Sequence, residues 1–318
     1  MRVEIQNSGI ATLATQRREL DREVQVVFSQ VLMEAGRAGY ASASLTAADA
    51  SQSEPPLEER MQAAWERWYG AAQSGQSGQP LGGRSRTELG ADFGNLLQRA
   101  YAEGGYAAPQ AFLSGLSQPE LATLQHVHRL ADPIAIDSLS EEGSLNLLLP
   151  AAVQVDMNQD GLTQCGAGQL LRFPDSNTPP DVVEAWHAAT QDMPPAERMI
   201  YELQMVLPVR MANMVTGPDG RFVRERSPGD PDFVNPLMDA DYSYAQAAQS
   251  WIEHLDYFKN QMQSERYWRA REFWQSFRDH LLGTKHETPG FIHGANADQG
   301  ATASDTRYGG LAAGGAKA

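Results

Sequence analysis

The sequence predicts a mainly α protein: a multi-helix domain carrying one calcium-type loop and a small β-hairpin, with an N-terminal helical arm and a flexible C-terminal tail. Three observations predict it. Apolar residues recur at helical spacing along most of the chain. Ser and Pro stand where such segments begin, as in Ser117-Gln118-Pro119-Glu120 and Pro179-Pro180. An oxygen-rich turn sequence, Asp156 to Leu162, interrupts the helical pattern near its middle.

Taken in order, Leu13, Leu20, Val24, Val27, Phe28 and Val31 share one helical face, and Gly36 and Gly39 are plausible stops. Residues 1–40 therefore read as an amphipathic arm that docks on its own domain, with packing on another subunit as the alternative. Residues 41–86 read as a linker with one short helix, Leu57–Gln73, which carries Met61, Trp65, Trp68 and Tyr69. The main helical domain spans 87–282, with Thr87 as the expected N-cap before Leu89 and Phe93. Pro109–Leu116 reads as a short helix. Leu121, Leu124, Val127 and Leu130 give the next helix its buried face, and Asp132-Pro133 ends it. Leu145–Leu149 follows Ser140-Glu141-Glu142-Gly143 and stops at Pro150.

Beyond the central loop, Asp181–Thr190 is a helix, and a longer one runs from Pro195 through Leu203 and Leu207. Pro208 is expected to kink or end it, because proline lacks the backbone donor. Thr216-Gly217-Pro218-Asp219-Gly220-Arg221 lies between Met214-Val215 and Phe222-Val223 and predicts a hairpin. A last helical stretch runs from about Tyr242 to Leu282. Its Arg and aromatic cluster, Glu265 to Arg271, is expected to stack and to pair with the acidic centre of the chain, with an interface hot spot as the alternative. Residues 283–318, rich in Gly, Ala, Thr and Asp, read as a flexible tail.

Charge sharpens the picture. The 318 residues include 25 Lys plus Arg and 40 Asp plus Glu, a net −15. Nearly all of it falls in 87–239, where 8 basic residues meet 21 acidic ones, a net −13. No basic surplus is available to neutralise phosphates, so nucleic acid is excluded as the expected partner. No run of about 18 apolar residues predicts a membrane span. Met1–Gln6 has no apolar signal core, so the cytoplasm is the default compartment, with signal-less export as the other route. The single cysteine, Cys165, rules out an internal disulfide and reads as a small buried thiol.

The motif with chemistry is Asp156-Met157-Asn158-Gln159-Asp160-Gly161-Leu162. Side-chain oxygens at positions 1, 3 and 5, a turn-making glycine at 6 and a carbonyl at 7 can curl around one hard cation; the alternative is an Asx-rich turn that satisfies its own backbone. Over these seven residues the loop resembles a degenerate EF-hand or dockerin-like calcium loop. The resemblance implies Ca²⁺ held by Asp156, Asn158, Asp160 and the Leu162 carbonyl, with Gln164 binding directly or through water. It departs from the pattern at position 12, where Ala167 replaces the bidentate acid, and Asp175 is the nearby carboxylate that could complete the shell. Pro150 breaks the incoming helix and Val153-Gln154-Val155 reads as extended, which points to a strand-loop unit rather than helix-loop-helix.

Other constellations are weaker. Glu184 and His187 form one Glu-x-x-His without the second copy that a di-iron bundle needs. His126 and His128 stand two apart, on different helix faces. No phosphate-binding, zinc-protease or serine-hydrolase motif occurs. The expected function is thus a non-catalytic structural or assembly protein with a structural Ca²⁺ site and a protein partner or self-association. The alternative is a metal-dependent enzyme, a hydrolase for instance, using Glu184/His187 or His126/His128.

Overall fold

The computed structural model describes residues 7–40, 55–73 and 83–283 apart from 171, 192 and 228, and in them the chain is mainly α, with ten α-helices and two small antiparallel sheets. The segments read above as linker and tail, 41–54, 74–82 and 284–318, lie outside the described residues. No helix among the described residues is long and apolar enough to cross a membrane.

The first core is built from the N-terminal half. Helix α1 (Asn7–Glu34) turns Val24, Phe28, Val31 and Leu32 inward against Met61 and Trp65 of α2 (Leu57–Gln73). Burying one such side chain fully contributes roughly 1.5–3 kcal/mol. Trp65 Nε1 donates to the Gly90 carbonyl of α3 (Arg86–Ala102) at 2.9 Å. Glycine is required there, since a Cβ on Gly90 would stand 2.4 Å from the Tyr69 ring. The N-cap of α3 is Ser85 rather than Thr87: its hydroxyl accepts the Glu88 N–H, and Glu88 accepts the Ser85 N–H in return. Helices α4 (Pro109–Ser114), α5 (Gln118–Val127) and α6 (Glu141–Asn146) close this core through Leu113, Leu124 and Leu145. Helix α5 has the expected Ser117–Glu120 capping box, but it stops at Val127, before Asp132-Pro133. Arg129 takes φ +55°, and the Leu130 N–H closes the end on the Gln125 carbonyl.

After the central loop come two short strands that the sequence reading missed, β1 (Thr163–Cys165) and β2 (Gly168–Leu170), paired Thr163 to Leu170. The second core then assembles from α7 (Pro180–Ala189), α8 (Pro195–Ala212), α9 (Tyr244–Phe258) and α10 (Ser264–Leu281) around Trp186, Tyr201, Met205, Ile252, Phe273 and Trp274. Pro208 neither ends nor interrupts α8, which continues to Ala212. The buried row Tyr201, Met205, Val206 and Val209 runs past the proline on both sides and holds the last turn in place. The expected hairpin is β3 (Met214–Thr216) with β4 (Phe222–Glu225).

The stretch 242–282 is two helices, not one. A 3-10 turn, Lys259–Gln261, reverses the chain so that Ile252 and Leu255 face Phe273 and Phe277. The Arg and aromatic cluster seals this turn. Asp256 of α9 accepts the Tyr267 hydroxyl at 2.6 Å and Arg271 Nε at 2.8 Å. The cation over the Tyr267 and Trp268 rings is Lys259, at 5.2 and 5.1 Å, where an arginine was expected. From the central acidic segment, Glu197 comes within 3.9 Å of Arg269.

Candidate metal centre

The oxygen-rich loop spans the joint between the two cores. Pro150 opens a 3-10 turn, Ala151–Val153, after which Gln154 and Val155 run extended into Asp156; β1 begins at Thr163. Within the loop, position 1 closes on position 6: the Gly161 N–H donates to Asp156 Oδ2 at 2.9 Å. Position 5 closes on 7, with the Leu162 N–H donating to Asp160 Oδ1 at 2.8 Å. The Asp160 N–H donates to Asn158 Oδ1 at 3.1 Å, and Asn158 Nδ2 donates to Asp160 Oδ2 at 2.9 Å. The curl needs left-handed backbone at Gln159, φ +60°, and at Gly161, φ +83°.

Helix α6 holds the loop from below. Ser140 caps it by accepting the Gly143 N–H, which orients the first turn. One turn apart on α6, Glu142 and Asn146 are both buried. Glu142 accepts the Met157 N–H at 2.9 Å and the Gln164 N–H at 2.7 Å, spanning the loop from entry to exit. Asn146 accepts the Val155 N–H at 2.8 Å and donates to the carbonyls of Val155 and Gln164. A Cβ on Gly143 would lie 2.3 Å from the Gly166 carbonyl, so helix and hairpin meet backbone to backbone.

The other side is held by the second half of the chain. Ser176 Oγ accepts the Asp156 N–H, and Asn177 Nδ2 donates to the Asp156 carbonyl, both at 3.0 Å. Asn235 donates to the Gln159 carbonyl at 2.9 Å, and its side chain with Val209 of α8 walls the space beside Gly161.

All the backbone groups named here are paired, and one side-chain oxygen is not. Asp156 is 3% exposed, and its Oδ1 has no hydrogen-bond partner among the described residues. Burial, with repulsion from Glu142, Asp160 and Asp175, pushes its carboxyl up to about 7. Burial likewise raises Glu142, Asp160 and Asp175 above the ordinary carboxylate range. A buried anion facing three other acids is costly unless a cation joins it.

The predicted ligands separate into two groups. Asp156, Asn158 and Asp160 come together in one turn, with Leu162 buried at its exit. Gln164 sits in β1 with Oε1 accepting from Ser140 Oγ at 2.5 Å. Asp175 lies close enough to repel Asp156, and its own Oδ1 accepts the Asn177 N–H and the Thr178 hydroxyl. Ala167, at position 12, is exposed in the β1–β2 turn, because a hairpin rather than a helix leaves the loop. Glu142, which sequence reasoning passed over, is the acid that reaches both ends. Its signal was a Ser-capped short helix with polar residues at 142 and 146 on an apolar background.

The alternative pairs do not gather further ligands: among the described residues no three His, Cys, Asp or Glu side chains stand in a metal-binding arrangement. The loop's own carboxylates are Asp156 and Asp160, so a cation there would need oxygens of other kinds. His128 bonds the Leu147 carbonyl through Nε2 at 3.0 Å and Gln154 through Nδ1 at 3.2 Å, and burial lowers it to about 4. His187 is also lowered to about 4, by burial and then by Arg18, and Glu184 turns to Arg22 at 3.7 Å. Cys165 is a buried thiol pushed up to about 12 by desolvation, and Gln154 Nε2 donates to its sulfur. Comparison with protein-family models, curated proteins and solved structures finds no match.

Proposed function

We propose that this is a non-catalytic structural or assembly protein whose joint between two helical cores is pinned by one Ca²⁺. The observation that carries the calcium half is the unpartnered Oδ1 of buried Asp156, raised to about 7 among Glu142, Asp160 and Asp175. Asp156, Asn158, Asp160 and the Leu162 carbonyl would hold the ion, with Gln164 direct or through water. Carbonyl, amide or water oxygens would complete the shell that Ala167 leaves short, since among the described residues no third acid joins Asp156 and Asp160 in a metal-binding arrangement. Calcium suits a site of mixed carboxylate, amide and carbonyl oxygens better than the softer metals do. Its role here is structural, since the loop is bonded to both halves of the chain. The assembly half is supported by large apolar side chains left in solvent on α8 and β4.

Thermal melts test the calcium half. At a hundredfold excess over Kd, calcium should stabilise by about 2.7 kcal/mol, which moves the melting point of a chain this size by roughly 4–5 °C. Chelator should reverse the shift, and Asp156→Ala with Asp160→Ala should abolish it. A wild-type melting point that calcium leaves unmoved refutes the site.

A further inference from the structure

Helix α8 is apolar on both faces. Tyr201, Met205, Val206 and Val209 line the inner one. On the outer one, Met199, Leu203, Leu207 and Met211 repeat every fourth residue and are 38–62% exposed. A row of large apolar side chains exposed on one helix face, rimmed by charged residues, marks an interaction surface. The stripe also continues beyond the helix. The bulge between Val215 and Thr216 pairs Thr216 with Phe222, which puts Phe222 on the same hairpin face as Met214 and Glu225. Glu225 bonds Arg210 of α8 at 2.7 Å, so that face lies alongside the stripe.

With Ile200 and the hairpin's Met214 and Phe222, all 46–60% exposed, seven large apolar side chains stand about half in solvent, which at roughly 200 Å² for each large side chain amounts to roughly 700 Å². That exceeds the roughly 300–600 Å² of the largest patch on an ordinary monomer and approaches the roughly 800 Å² that each partner brings to a stable interface.

The order of side chains says what fits. Met199, Leu203, Leu207, Met211 reads the same from either end. Laid antiparallel on itself, the stripe sets Leu203 against the other copy's Leu207 and Met199 against its Met211, and each contact occurs twice, as a two-fold interface requires. Antiparallel helices also oppose their dipoles favourably. The charges flanking the stripe are already matched within one chain, Arg198 with Glu202 at 2.9 Å and Arg210 with Glu225. No uncompensated like charge meets across the axis.

We infer that a second copy of this chain covers the outer face of α8, docking antiparallel about an axis between Leu203 and Leu207. The inference rests on the assembly half of the proposed function and does not depend on calcium. Sedimentation of the full chain from low to high micromolar concentration, in calcium and in chelator, should show a concentration-dependent dimer. Leu203→Glu and Leu207→Lys, both at exposed positions, should each weaken it about a hundredfold by placing a charge against leucine twice per dimer. Mixing the two variants should restore a dimer at concentrations where either alone is monomeric, because the substituted side chains then meet each other.

A wild-type chain that stays monomeric at every concentration overturns the inference, whether another protein or this chain's own terminal residues cover the stripe; it leaves the calcium melt as it stands. A wild-type dimer indifferent to both substitutions also overturns it, while assembly through another surface survives. Weakening by both variants without rescue on mixing overturns the antiparallel register.

Discussion

Replacing Asp156 by asparagine should stabilise the calcium-free protein. The folded carboxyl titrates at about 7 against an ordinary 3.8, because burial and three neighbouring acids oppose its ionisation. The sign follows directly. Above about pH 4 the unfolded chain releases this proton, whereas the folded chain holds it until about 7. Wild-type stability from this group is therefore lost as pH rises through that window, and above it the loss is about 4 kcal/mol. Asparagine keeps the shape and stays neutral. Its Oδ1 can still accept the Gly161 N–H, and its Nδ2 takes the place of the unpartnered oxygen as a donor facing carboxylates.

Urea unfolding followed by the fluorescence of buried Trp186 and Trp274 gives the measurement. In chelator, Asp156→Asn should exceed wild type by up to about 4 kcal/mol at pH 8 and by about 2 at pH 5. In calcium at a hundredfold excess over Kd the gap at pH 8 should narrow by up to about 2.7 kcal/mol, since the amide keeps an oxygen but loses the charge that draws the ion. The comparison between variant and wild type matters more than either curve, because other groups titrate in the same range. A variant less stable than wild type in chelator at pH 8, or a gap that does not change between pH 5 and 8, refutes the reasoning.

Asn146→Ala should cost about 3 kcal/mol, because it orphans the buried N–H and carbonyl of Val155 and a carbonyl of Gln164; the urea midpoint checks it. Gly161→Ala should cost about 1–3 kcal/mol and remove the calcium shift in the melt, since φ +83° strains any Cβ and the new atom would sit 3.1 Å from Asn235 Nδ2. His128 is held neutral, with Nδ1 accepting from the Gln154 amide and Nε2 carrying the proton to the Leu147 carbonyl. Its contribution is full above about pH 6.5 and is lost as pH falls towards 4. Between pH 7 and 5 the wild type should lose about 2 kcal/mol relative to His128→Gln, read from paired urea curves.

Helical periodicity, capping boxes and prolines made most of the fold legible, because each acts within a few residues. Ser117 and Glu120 are three apart, and their box stands as expected. Ser85 was missed for the neighbouring Thr87 only because both residue types cap helices. The reversal at Lys259–Gln261 has no glycine or proline to announce it; it comes from the gain in packing Ile252 and Leu255 on Phe273 and Phe277. The loop's own oxygens were readable as a motif, for they are local. Glu142, Asn146, Ser176, Asn177 and Asn235 were not, because each reaches the loop by tertiary folding. Pro208 misled because its cost is local, whereas the buried row that offsets it spans the whole helix.

The placement of the loop explains why one weak-looking motif can matter to the whole chain. Val155 and Cys165 flank it in the first core, and Phe173 enters the second. Glu142 and Asn146 grip it from α6, while Asn235 and Val209 grip it beside α8. The grips of Glu142, Asn146 and Asn235 use backbone groups in the loop and at its edges, and those of Glu142 and Asn146 cannot loosen without exposing a donor that is at least part-buried. Those bonds position four acids near one another, and their repulsion works against the same grips. A divalent cation would remove that opposition at its source. Electrostatic strain at Asp156 is thus the counterpart of tight backbone pairing around it, and relieving the strain would tighten both cores through one joint.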